Sequence, residues 1–173
     1  MPTWLIIAIA ILVLIPLTIL VVGGLLPGRF GATCSISTKA SPEAAWQALL
    51  DHRKHPMSGR MCRGVEELPA ENDLPAWRED LGSSRVKVVT IEQTKPERIV
   101  RRMQDEVVPM TMTCEYRIEP FGAACIIHAE GQGEIRSGTW HVPFFKFMIH
   151  VFGGAKSGQK QFLKSIQNTL ESN

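Results

Sequence analysis

Met110-Thr-Met-Thr-Cys-Glu-Tyr-Arg-Ile-Glu119 alternates without a break. Met110, Met112, Cys114, Tyr116 and Ile118 fall on one side, and Thr111, Thr113, Glu115, Arg117 and Glu119 on the other. A strict period of two predicts a β-strand with one buried and one wet face. Pro120-Phe121-Gly122 turns the chain, and Ala123 to Ile135 returns with the same period. There Cys125, Ile127, Ala129, Gly131 and Gly133 share one side, while Ile126, His128, Glu130, Gln132 and Glu134 share the other. The pair reads as an antiparallel hairpin with an apolar inner face.

Working back from this hairpin, the chain keeps the strand rhythm. Arg98 to Gln104, Arg85 to Thr94, Ala76 to Leu81, Val65 to Pro69 and Ala32 to Lys39 are each bounded by turn residues. The alternation slips between Val88 and Val89, which predicts a bulge. Only one helix interrupts the series. Ser41 is placed to cap it, Pro42 suits its first position, and Ala45, Trp46, Leu49 and Leu50 form its apolar stripe. The segment from His52 to Pro56 reads as a polar exit. Beyond Gly138 to Pro143 the period turns helical. Phe144, Phe147, Met148, Val151 and Phe152 come first, and Gly153-Gly154 loosens the run. Ala155, Phe162, Ile166 and Leu170 continue it, with Lys156, Lys160 and Lys164 opposite. The expected class is α+β: a meandering antiparallel sheet with a long terminal helix.

A different segment precedes all of this. Trp4 to Leu26 is apolar, and no charged side chain occurs before Arg29. A helix of about 23 residues is roughly 34 Å long, enough to cross a hydrocarbon core of about 30 Å. The run is too long and its start too poor in basic residues for a removable signal, so a retained single-pass anchor is expected over residues 1–28. Residues 29–173 form the second unit, joined through a short linker from Pro27 to Gly31. Arg29 and Lys39 follow the apolar run and no Lys or Arg precedes it, which favours a cytoplasmic domain at the cell membrane. Cys34, Cys62, Cys114 and Cys125 show no paired spacing, in keeping with reduced thiols.

Net charge is +2 with acids and bases interleaved, so nucleic acid is not an expected partner. Arg98, Arg101 and Arg102 read as a solvated strand face. His52 and His55 lack a third ligand, and His128 and Glu130 fall on the outer face. His141 and His150 carry no supporting pattern. No P-loop, nucleophile elbow or dinucleotide fingerprint is present, so no cofactor, metal or catalytic set is expected. Glu79, on one face with Trp77 and Leu81, is the best candidate for a buried carboxylate.

The ordered set of elements resembles the SRPBCC superfamily, also called START or Bet v 1-like, and within it the bacterial polyketide cyclase/dehydrase-type proteins. The likeness rests on the opening strand with Ala40-Ser41-Pro42-Glu43-Ala44-Ala45-Trp46, the exit Asp51 to Pro56, and Trp77-Arg78-Glu79. Pro96-Glu97-Arg98-Ile99-Val100, Gly131-Gln132-Gly133-Glu134-Ile135 and the terminal helix complete it. It covers roughly Ala32 to Leu170, and the membrane helix is an addition to the family pattern. The resemblance implies a helix-grip fold in which a curved sheet wraps the terminal helix around a cavity for a hydrophobic molecule. The expected lining is Trp77, Glu79, Met110, Met112, Cys114, Tyr116, Ile127 and Ala129 from the sheet, with Phe152, Ala155, Phe162 and Ile166 from the helix. The alternative is that the same residues pack into a solid core.

Three functions follow from this reading. The first is a non-catalytic, membrane-held binder of a lipid or other apolar small molecule. The second is an accessory subunit with a filled core that docks other membrane proteins. The third, suggested by the family's naming alone, is an enzyme of the cyclase or hydratase kind.

Overall fold

The structure is a computed structural model, described here for residues 2–172. It opens with α1 (Thr3–Leu25), whose side chains are largely exposed, followed by β1 (Arg29–Thr38) and α2 (Pro42–Leu50). Ser41 caps α2 by accepting from the Ala44 N–H at 3.3 Å. A short 3-10 turn at Gly59–Met61 leads into β2 (Gly64–Glu71), β3 (Leu74–Asp80), β4 (Arg85–Thr94), β5 (Arg98–Asp105), β6 (Met110–Phe121) and β7 (Ala124–Ile135). Two helices close the chain, α3 (Val142–Val151) and α4 (Gly154–Glu171).

The seven strands form one antiparallel sheet in the order β1-β7-β6-β5-β4-β3-β2. β2 to β7 are a plain meander, and β1 closes the far edge by pairing with β7. α2 and α4 cover the inner face, and α4 lies along β1. This is the α+β helix-grip arrangement. The hairpin that anchors the sequence reading pairs Tyr116 with Ala129 and Ile118 with Ile127, so the apolar rows face the helices together.

Three local expectations are corrected. β1 begins at Arg29, because Phe30 lies on the inner face and packs its ring over Gly133, so the linker shrinks to the residues around Pro27. The irregularity in β4 lies between Thr90 and Glu92, leaving Ile91 without a partner in the ladder; Val88 and Val89 pair regularly with β3 and β5. The terminal helical run is two helices. Gly153, with φ of 63°, breaks it and turns α4 back toward the sheet.

The interior is well filled. Trp46, Trp77, Tyr116, Phe162, Leu163 and Ile166 are almost wholly buried in one cluster. Gln159 of α4 reaches the β1–β7 seam. With its amide turned to suit its neighbours, it donates to Ala32 O at 3.1 Å and accepts from Gly131 N at 2.9 Å. A Cβ at Gly131 would meet the ends of the Gln159 and Met112 side chains, both of which would have to shift.

Candidate functional site: a buried guanidinium in the grip

The inner face carries an unexpected charge. In β5, Ile99, Arg101 and Met103 point the same way, opposite Tyr116, Cys114 and Met112 of β6. Arg101 is 1% exposed and is not part of a solvated strand face. Its Nη2 donates to Leu49 O at the end of α2, at 2.6 Å. Its Cζ lies 5.0 Å from the Trp77 ring centre, a cation–π contact. Nε and Nη1 are buried and have no partner among the described residues. Burial lowers the Arg101 pKa from its ordinary value, with Tyr116, Glu79 and Cys114 the nearby groups that oppose the shift. A guanidinium keeps its charge under such conditions.

Glu79 is the second buried charge. One carboxylate oxygen accepts from Met57 N at 2.8 Å and from Trp77 Nε1 at 2.9 Å, and the other accepts from Ser58 N at 2.8 Å. Three donors satisfy it fully, so its role is to hold the irregular segment after α2 against β3. That segment is less polar than the sequence implied. His52 stacks on Trp77 with ring centres 4.3 Å apart, and its Nε2 lies 2.9 Å from Glu67. His55 is buried, with Nδ1 2.8 Å from Ser165 Oγ of α4. Burial pushes its pKa down.

The lining expected from sequence divides into three groups. Trp77, Glu79, Cys114, Tyr116, Ile127, Ala129, Phe162 and Ile166 are all buried in the interior, and the first four lie near Arg101. Met110 and Met112 sit at its half-buried edge, as does Ala155 at the start of α4. Phe152 does not join them; it is 66% exposed, because α3 ends at Val151 and leans away from the sheet. Sequence reasoning missed Arg101. The signal was present in its alternation with Ile99 and Met103, and was outweighed by the usual preference of arginine for solvent.

The Cys114 thiol is pushed up to about 11 by burial, and Tyr116 is raised well above the ordinary phenol value for the same reason. Cys114 and Cys125 are free and well separated in the ladder, opposite Gly131 and Pro120. The outer face holds His128 with Glu119, and Glu115 with Arg98 and Arg117. An open groove of about 830 Å³ also lies on that outer side, lined by Arg29, Thr111, Thr113, Gln132, Glu134 and Arg136 among others. Gly31 stands opposite Gln132 there and leaves the strand face hollow.

No protein-family model matches the sequence, and a comparison with curated proteins gives no match. Solved structures do match. The Zhui aromatase/cyclase from a Streptomyces species aligns with a TM-score of 0.65 at 12% identity, over 83% of this chain and 94% of that one. A START superfamily protein from Mycobacterium smegmatis gives 0.62 at 14% identity, over 82% and 97%. A protein from Chromobacterium violaceum gives 0.58 at 14% identity, over 82% and 96%. At these identities the likeness shows the fold: this chain has the helix-grip fold of START-like and polyketide aromatase/cyclase structures, preceded by an apolar helix.

Proposed function

We propose that this protein binds an apolar small molecule bearing one hydrogen-bond-accepting end, and that Arg101 receives that end inside the grip. The observation that carries the reading is the pair of buried, unpartnered donors on Arg101, Nε and Nη1. Each unmet donor costs about 1–3 kcal/mol, a cost that a carboxylate or carbonyl acceptor would remove. Around them lie Trp77, Cys114 and Tyr116, with the Glu79 carboxylate the one acidic side chain that acts on the guanidinium. A ligand with one polar end and a hydrocarbon body fits that chemistry. Met103 and Met112, half-buried on the same face, are the pliable side chains that would yield to admit it.

α1 supports the membrane part of the reading. It is the one helix among the described residues long and apolar enough to cross a bilayer. We read residues 1–28 as a single-pass anchor and residues 29–173 as a cytoplasmic binding domain held beside a reservoir of apolar molecules. The reading is non-catalytic.

The test is binding of oleate, an apolar carboxylate, to the full-length chain in nanodiscs, read by native mass spectrometry and by titration. Wild type should bind, and Arg101→Met should lose at least about tenfold in affinity. Equal binding by both would remove Arg101 from the site, and no binding by wild type, with no co-purified small molecule, would end the proposal. The filled interior favours a second reading, an accessory subunit of a membrane complex. A stoichiometric protein partner that withstands mild detergent would support that alternative.

A further inference from the structure

α3 presents three faces with three different surroundings. Pro143, Lys146 and His150 face α1. Gly23 packs directly on the Pro143 backbone, and a Cβ at Gly23 would collide with the Pro143 carbonyl. Lys146 Nζ donates to Leu26 O at 3.1 Å, and His150 Nε2 lies 3.1 Å from Pro27 O. These carbonyls follow the last turn of α1, where no intrahelical donor remains for them. Val142, one position along, is buried. The third face is a stripe at helical spacing, Trp140, Phe144, Met148 and Val151, and Phe152 extends it. All five are exposed large hydrophobics, Trp140 at 84%.

We propose that α3 is an interfacial helix that lays this stripe into the lipid surface next to the anchor, fixing how the domain sits on the bilayer. The inference rests on the reading of α1 as a membrane anchor. Continuity supplies the first argument for lipid as the occupant. Gly23 lies three residues before Leu26, so α3 touches α1 about 4.5 Å inside the end of its apolar run. Interfacial helices bury their apolar face about 5–10 Å into the headgroup boundary, close to that depth. Charge supplies the second. From Arg136 to Leu170 the sequence carries Arg136, Lys146, Lys156, Lys160 and Lys164 and no Asp or Glu. A basic, acid-free segment beside an apolar stripe matches an anionic lipid surface. A tryptophan at the head of the stripe suits the headgroup level.

Tryptophan fluorescence of the full-length chain tests this directly. Trp46 and Trp77 are buried in the domain and serve as an internal reference, and Trp4→Phe removes the signal from α1. Trp140 emission is then the difference between the Trp4→Phe chain and the same chain with Trp140→Phe. The chains are reconstituted in 7:3 phosphatidylcholine:phosphatidylglycerol vesicles, with and without bromine on the upper acyl carbons. The expected result is blue-shifted Trp140 emission, cut roughly twofold or more by the brominated lipid. Phe144→Glu with Met148→Glu, both at exposed positions, should reduce that quenching. Trp140 emission at the wavelength of water-exposed indole overturns the proposal, as does emission shielded from water but blind to bromine, which would mean a protein partner such as a second copy. Co-flotation with the vesicles after alkaline carbonate reads the anchor separately. A chain that does not float defeats the anchor and this inference together. A chain that floats with Trp140 in water defeats only the inference.

Discussion

The Arg101 guanidinium rests against the Trp77 indole with Cζ 5.0 Å from the ring centre, and both side chains are buried. A charge in that position is costly to fold. Its one hydrogen bond, to Leu49 O, its aromatic contact and the attraction of Glu79 offset only part of the lost hydration. Arg101→Met, similar in reach and without charge, should leave stability unchanged or raise it by up to about 2 kcal/mol. Urea unfolding of the full-length chain in detergent, followed by the buried tryptophans, reads the effect. A loss above about 3 kcal/mol would make Arg101 a structural residue.

Glu79 should behave in the opposite way. Its oxygens accept from Met57 N, Ser58 N and Trp77 Nε1. Glu79→Gln keeps the shape but turns an NH2 group toward one of these donors, and should destabilise by about 2–3 kcal/mol. The segment from Met57 to Met61 should then exchange its amide hydrogens faster. Unaltered exchange there would contradict the assigned role.

His55 makes stability pH-dependent with a definite sign. Burial lowers its pKa below the ordinary 6.5, so between those two values the unfolded chain binds more protons than the folded one. Stability is therefore full above about 6.5 and falls as pH drops from there toward the folded pKa. His55→Gln should flatten the slope in that window. A slope equal to wild type would assign the titration elsewhere, since Glu67 and Glu115, both lowered by ion pairs, act below the ordinary carboxylate range.

Gly131→Ala should cost about 1–3 kcal/mol. The new methyl would displace Gln159 and Met112, and with Gln159 go its bonds to Ala32 and Gly131 at the β1–β7 seam. Faster hydrogen exchange confined to β1 and β7 is the expected signature. Gly31→Ala serves as the control, since a Cβ there meets only the Gly131 carbonyl oxygen at 3.4 Å.

Much of this architecture was legible without coordinates. Strand alternation depends on a two-residue repeat, so Met110 to Ile135 predicts its own hairpin and inner face. Ser41-Pro42 predicts its own helix start, and Trp4 to Leu26 its own membrane-length helix. These are local properties, fixed by neighbours a few residues away. The site is not local. Arg101 is held by the Leu49 carbonyl and the Trp77 ring, and Glu79 by the amides of Met57 and Ser58 in a stretch with no periodicity. No repeat in the sequence says which backbone donors and acceptors will meet across the grip. The break at Gly153 and the lean of α3 on α1 have the same origin. Sequence determined that the run from Phe144 to Leu170 is helical, but only packing of Gly23 on Pro143 and of Phe162 on the sheet decided that one half faces α1 and the other the core.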